Sequence, residues 1–289
     1  MNKFYIKFFF FLLSISIYVN NKTLATDPTP GKATKTKSKK SYSTSEEIYD
    51  QSKHLLCTDH EEIKNAKELM SEAVKSFAYH ATSEGDYKCV GKNLRHSAFL
   101  YKKKHKNSTD VEKVRYINND SNKYNEIVGK IWDPDILNPF DYKSVKRKIA
   151  RVYNPNLVMI QQRYKDSIFA RWKYFYALAA KFDISEDKTI IAMTSANIND
   201  HNPSENEYKN PIVENANLFK TEVDSEDDIK NGKLKKVFVN IAGYLIQKRY
   251  GHVNITYVES IDEHSSTYQK CIFGKTLGYM LLNIYFSSQ

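Results

Sequence analysis

Reactive side chains at fixed spacings are what this sequence lacks. It has three cysteines, Cys57, Cys89 and Cys271, and no pair of them is spaced as metal ligands. None of the eight histidines falls in a His-x3-His or His-Glu-x-x-His arrangement. Gly-x-Ser-x-Gly is missing as well. Asp133 and Asp135 flank Pro134 and are accounted for by a turn rather than by paired acid–base work. These absences argue against a hydrolase or a metalloenzyme, and the chain is expected to be non-enzymatic, with no cofactor and no metal. A second long apolar run is also missing, so the body of the chain is expected to contain no membrane span.

The first 25 residues read as a secretory signal peptide. Lys3 and Lys7 precede an apolar run from Phe8 to Tyr18, and Thr23-Leu24-Ala25 supplies small residues for cleavage. That run is roughly half of the ~20 residues a bilayer span requires. Residues 26–45, rich in Thr, Lys, Ser and Pro, read as a disordered linker, and 46–289 as one domain. The net charge of +10 falls to +7 without the signal, and Lys32, Lys35, Lys37, Lys39 and Lys40 against Asp27 put +4 of that into the linker. A nucleic-acid-binding domain would keep its basic stripe on the folded part, so no nucleic-acid partner is expected. In an oxidising compartment an odd cysteine count leaves one thiol over. A Cys57–Cys89 bridge would staple the helix they flank to the strand after it; both remaining free is the open alternative.

Thr58-Asp59-His60-Glu61 has the form of a capping box. The helix after it carries Ile63, Ala66, Met70, Ala73 and Phe77 at helical spacing. Strands are expected at 98–102 and 111–117, then a short helix from Ser121 to Trp132 stopped by Asp133-Pro134. From Lys148 onward, segments rich in β-branched and aromatic residues alternate with turn signals. Strands are expected at 149–153, 157–164, 172–182, 189–196, 218–223, 236–248 and 253–261, the last two joined by a hairpin at Tyr250-Gly251. Tyr268 to Phe286 reads as a terminal helix. Segregated helices with consecutive strands indicate an α+β fold on an antiparallel sheet.

Two strands are apolar on both sides. Val237, Val239, Ile241 and Leu245 oppose Phe238, Ala242, Tyr244 and Ile246; Trp172, Tyr174, Tyr176, Leu178 and Ala180 oppose Phe175, Ala177 and Ala179. Both faces are therefore shielded from water. One side can pack on a helix, and the other meets either a second layer or an enclosed apolar space. Small residues (Ala179, Ala242, Gly243) together with tyrosines and Asn240 suit a cavity wall with polar tips.

These features resemble the START (steroidogenic acute regulatory protein-related lipid transfer) family. The stretch 121–141, SNKYNEIVGKIWDPDILNPFD, is similar to the START segment in which a short helix ends in a Trp-Asp-Pro turn. Arg171-Trp172 resembles the family's Pro-Arg-Asp-Phe strand start, without the Pro and the Asp. Along its length to about residue 264 the chain also resembles the Plasmodium fam-a proteins, in NKTLAT at 21–26, ARVYNPNLVMIQQRY at 150–164, MTSANINDHNPS at 193–204 and ITYVESID at 255–262. The resemblance implies a START-like helix-grip fold, a curved antiparallel sheet whose N-terminal helix and C-terminal lid helix enclose a lipid tunnel. It implies binding and transfer of a phospholipid, with phosphatidylcholine the expected cargo, by a secreted monomer exported to the host erythrocyte or the parasitophorous vacuole. The export motif Arg-x-Leu-x-acidic is altered here to Lys22-Thr23-Leu24-Ala25-Thr26. A carrier needs an aromatic wall or cage for choline and an arginine for phosphate. The candidates are Trp172, Tyr174, Tyr176, Asn240, Ala242, Tyr244 and Tyr257 for the wall and Arg151, Arg163 or Arg171 for the phosphate. Ile168 and Phe169 are the candidate membrane-contacting loop. The alternative reading is a START-fold surface or adhesion module that carries no lipid.

Overall fold

A computed structural model describes residues 42–93, 97–105, 109–136, 145–165, 169–202 and 208–262. The signal peptide, Cys271, Ile168 and the terminal segment at 268–286 lie outside the described residues. The first helix, α1 (Ser45–Gln51), starts from a capping box. Thr44 Oγ1 accepts from the Glu47 amide at 3.1 Å and the Glu47 carboxylate accepts from the Thr44 amide at 2.8 Å, which satisfies two donors the first turn would otherwise expose.

The long helix α2 (His60–Thr82) buries Ala66, Leu69, Met70, Ala73, Val74 and Phe77 in the stripe that its spacing predicts. Its cap differs from the expected Thr58 box: Asp59 is the N-cap, its carboxylate accepting from the Glu61 and Glu62 amides. At the far end the buried Lys113 donates to the carbonyls of His80 and Ser83. A cation there suits the helix dipole. With 23 residues, α2 is about 35 Å long, and this overturns the proposed Cys57–Cys89 bridge. The two cysteines sit beyond opposite ends of the helix and both are free thiols, whereas a disulfide needs Cα atoms about 5–6 Å apart.

The strands are β1 (Lys88–Asn93), β2 (Ala98–Lys104), β3 (Asp110–Asn118), β4 (Val145–Asn154), β5 (Leu157–Tyr164), β6 (Lys173–Ser185), β7 (Lys188–Thr194), β8 (Asn197–Asn199), β9 (Lys220–Glu222), β10 (Lys235–Lys236), β11 (Phe238–Arg249) and β12 (His252–Asp262). Between β3 and β4 lies helix α3 (Tyr124–Trp132), and before β10 a short helix α4 (Asp227–Lys230). The main sheet runs β1-β2-β3-β12-β11-β7-β6-β5-β4, with β10 added in parallel beside β6 and every other pairing antiparallel. The α+β class read from the sequence is the observed one. β1 was not expected; its Lys-Cys-Val-Gly-Lys-Asn sequence has little strand character, and it is held as an edge by β2. The expected strand at 218–223 shrinks to β9, which pairs only with β8 in a separate two-stranded sheet.

Helix α2 packs on one face of the main sheet, against β6, β7, β11 and β12. The opposite face, with α3 and α1, holds an extensive apolar cluster. Along β6 the faces divide as the alternation predicts: Phe175, Ala177 and Ala179 join that cluster, and Tyr174, Tyr176 and Leu178 point to the α2 side. Along β11 they do not. The register shifts between Val239 and Ile241, so Asn240 is a bulge, and Val237 and Val239 share the cluster with Ala242, Tyr244 and Ile246. One extra residue inverts the side-chain sequence beyond it.

Gly243 was expected to leave cavity volume. It instead lets β7 approach: a Cβ there would sit 2.2 Å from the Ile191 carbonyl oxygen and 2.9 Å from the Ala192 Cα. Backbone cannot yield as a side-chain tip can. Gly243→Ala is therefore expected to lower stability by about 3 kcal/mol, read as the shift in a urea denaturation midpoint at unchanged slope.

Candidate functional site

The segment between β7 and β10 covers the α2 face beside the helix and is clamped there by polar side chains. Tyr174 donates to Asp200 Oδ2 at 2.9 Å, and the Lys236 ammonium lies 2.7 Å from the other oxygen of the same carboxylate. Tyr176 shares hydrogen bonds with Ser225 (3.0 Å) and Gln161 (2.6 Å). Arg163 pairs with Asp228 and Glu226 at 2.6 and 2.7 Å. Arg151 donates to Glu62, Thr221 and the Glu222 carbonyl, and Arg171 to the carbonyls of Gly232 and Lys233. These three arginines and two tyrosines are thus engaged in holding the segment, on the face opposite the apolar cluster.

Asn240 is likewise committed to structure. Its amide donates to Ser260 Oγ at 3.1 Å and accepts from Tyr208 at 2.8 Å. Its carbonyl, freed from the ladder by the bulge, accepts from Thr194 Oγ1 and Asn210 Nδ2. Trp172 stands at the start of β6 with the ammonium groups of Lys165 and Lys146 at 5.1 and 5.6 Å from its ring. Phe169 is 93% exposed in the loop before it.

On the other face the structure brings together Ala242, Tyr244 and Tyr257 from the expected wall. The two tyrosine rings lie 4.8 Å apart. Two charged residues that the sequence reading passed over join them. Arg147 on β4 donates through Nε to Gln162 Oε1 at 3.0 Å, and its guanidinium is felt by both Tyr244 and Tyr257. In the sheet order β4 stands five strand intervals from β12, about 24 Å on a flat sheet. The sheet must therefore curl to bring Arg147 within electrostatic reach of Tyr257.

Glu259 on β12 is the second. Burial pushes its carboxyl up to about 8; the hydrogen bond from Tyr257 at 2.8 Å works against that shift, and the Glu112 carboxylate, its direct cross-strand partner, works with it. The signal for both residues was periodic. Val145, Arg147 and Ile149, and likewise Ile255, Tyr257, Glu259 and Ile261, are every-second-residue series in which one member is charged.

Arg147 also lines a cleft between the sheet and the end of α3, with Ile48, Ile131, Trp132, Val158 and Met193. The indole Nε1 of Trp132 is buried there without an acceptor among the described residues. An N–H so placed is costly unless something accepts from it. The space is about 20 Å³, room for one water molecule. A strap from the N-terminal side fixes this end of α3. The Tyr42 ring lies where a Cβ on Gly129 would be, 2.0 Å from its nearest atom. The Ser43 amide donates to the buried Asp133 carboxylate at 2.7 Å, and the Asp135 amide to its other oxygen at 3.0 Å. Asp133 thus serves the turn, as its place before Pro134 suggested.

No family model and no curated protein matches this sequence. Among solved structures the fold is similar to human StAR-related lipid transfer protein 5, with a TM-score of 0.54 at 11% identity, covering 76% of this chain and 94% of that one. It is also similar to human STARD10, with a TM-score of 0.50 at 14% identity, covering 73% and 78%. The chain therefore has a START-like fold, with its large antiparallel sheet and few helices. The lid helix expected at 268–286 lies outside the described residues.

The Glu259 carboxyl yields a pH prediction. A folded-state value raised above the ordinary 4.5 contributes stability that is complete below about pH 4.5 and is lost as pH rises through about 8. Glu259→Gln should match the parent in thermal stability near pH 5 and exceed it by about 3 kcal/mol above pH 8. Parallel melting curves across that range would instead mean a solvated carboxylate.

Proposed function

We propose that the protein binds a phospholipid between the curled sheet and α3 and transfers it between membranes. The observation that carries this reading is Trp132 Nε1–H, buried without an acceptor among the described residues beside the Arg147 guanidinium, in a cleft that is otherwise apolar. Phosphatidylcholine fits the surrounding chemistry: Arg147 for the phosphate, and the faces of the Tyr244 and Tyr257 rings, 4.8 Å apart, for the choline. The expected roles of the aromatic wall remain with Ala242, Tyr244 and Tyr257, and the phosphate role passes to Arg147. No nucleophile is needed, because burying acyl chains against apolar wall gains ~25 cal/mol per Å².

The names of the two structural neighbours, a StAR-related lipid transfer protein among them, support the carrier reading through the shared fold. Their identities of 11% and 14% leave the cargo to this chain's own residues. Phe169, flanked by the cationic Lys165–Trp172–Lys146 stack, is the residue proposed to touch the membrane surface. The signal at 1–25 is proposed to send the protein through the secretory pathway and onward to the host cell, as the fam-a resemblance implies.

One observation favours the second reading, a START-fold surface module without cargo: the cleft holds only about 20 Å³. A carrier must open by moving its covering layer off the sheet, and a display module has no need to. Native mass spectrometry of the full chain purified from cells separates the two. A co-purifying phospholipid that is lost in Arg147→Gln supports the carrier, and an empty protein supports display. In vesicle-to-vesicle assays, Ala242→Asp should reduce phosphatidylcholine transfer at least about tenfold, the cost of an unpaired carboxylate on an apolar wall. Transfer at the parental rate would remove the cleft assignment.

A further inference from the structure

A cavity larger than the cleft lies on the other side of the sheet. Helix α2 ends at Thr82, and beyond that point β11, β12, β3 and β2 continue with no helix over them among the described residues. The uncovered region forms a cavity of about 430 Å³, some twenty times the cleft at Arg147 and well inside the range of small-molecule sites. The strand register builds its floor. Leu245, Thr256, Arg115 and Phe99 are successive direct partners across four strands, and Gln247 and Asn254 pair in the adjoining row.

The chemistry of this floor is graded. Leu245, Phe99 and the final turn of α2 make an apolar surface. The side chains of Gln247, Asn254 and Thr256 converge on it without hydrogen-bond partners among the described residues. Among the described residues that line it the one cation is Arg115, at one end, 5.4 Å from the Tyr101 ring centroid. Its partner is Glu84, 3.1 Å away, whose side chain is 76% exposed on the loop after α2. An ion pair so solvated is worth little, so an incoming anion can take the place of Glu84 on the guanidinium at small cost.

We propose that this cavity is a second ligand site, separate from the lipid cleft, for a small amphipathic molecule. Such a ligand carries one anionic group, a carboxylate or sulfonate, that replaces Glu84 on Arg115. Its apolar body lies on Leu245 and Phe99, and its polar edge meets Gln247, Asn254 and Thr256. Because the site is on the α2 face, it is independent of whether the opposite face carries lipid.

The probe is 1-anilinonaphthalene-8-sulfonate, titrated by fluorescence into the full chain at low salt. Two substitutions should move its affinity in opposite directions. Glu84→Gln removes the competing carboxylate and should tighten binding about threefold. Arg115→Gln removes the charge-assisted partner and should weaken it about tenfold or more. Glu84 is exposed, so its variant tests the site without threatening the fold, and the dye response to both changes should persist in Ala242→Asp. Equal affinities in the parent, Glu84→Gln and Arg115→Gln would overturn the proposal. So would dye binding abolished by Ala242→Asp, which would put the dye in the cleft on the other face.

Discussion

At Asn240 the β11 strand takes in one more residue than its partner β12, and much of the architecture is arranged around that excess. A bulged residue leaves its ladder groups unpaired and switches the faces that follow it. The freed carbonyl accepts from Thr194 and Asn210, and the side chain ties Ser260 to Tyr208. The point at which the chain leaves β7 is thereby fastened to the point at which it rejoins the sheet. Ser195 reinforces the join, donating to the Tyr176 carbonyl and accepting from the Val239 amide. The bulge also turns Ala242 and Tyr244 toward α3. Without it they would face α2, and the α3 face would lose the tyrosine whose ring lies beside that of Tyr257.

The two faces of the sheet consequently do different work. The α2 face is rich in charge but nearly every group on it is paired: Arg151 with Glu62, Arg163 with Asp228 and Glu226, Tyr174 with Asp200. Buried charge is tolerated there because geometry satisfies it. The α3 face has few polar groups, and the Trp132 indole N–H is buried there without an acceptor among the described residues. Unmet hydrogen bonding in an apolar setting destabilises a protein unless a ligand completes it, which is why the functional argument rests on the poorer face. Beyond the end of α2, the same sheet face that is so well paired elsewhere carries amide and hydroxyl groups with no partner among the described residues.

The helices and most strands were legible because their apolar residues recur at the period of the element. The Ala66–Phe77 stripe and the alternation along β6 are both read directly from spacing. What was not legible is whatever depends on one residue more or less. The face of Ala242 relative to Val237 turns on a bulge that no pattern in Val-Asn-Ile-Ala announces. The arginine of the cleft was sought next to aromatic segments, where Arg151, Arg163 and Arg171 are conspicuous, and tertiary contacts engage all three. Arg147 stands in Lys-Arg-Lys and looks like a solvated edge, yet it is the member of that trio on the cleft face. β1, with lysines and a glycine, is a strand only because β2 offers it an edge.

The strap ahead of α1 bears on where the folded unit starts. Composition puts the first structured residue near Glu46, at the close of the polar linker. A recombinant protein begun there would lack the ring that lies on Gly129, the amide that bonds Asp133 and the threonine that caps α1. Trp132, next to Asp133 in the chain, would then sit on a helix end with one side uncovered. A preparation trimmed by composition alone would therefore be altered beside the cleft while its sheet stayed whole. The tryptic sites that bracket this stretch, Lys40 and Lys53, would give two species that differ by the strap together with α1.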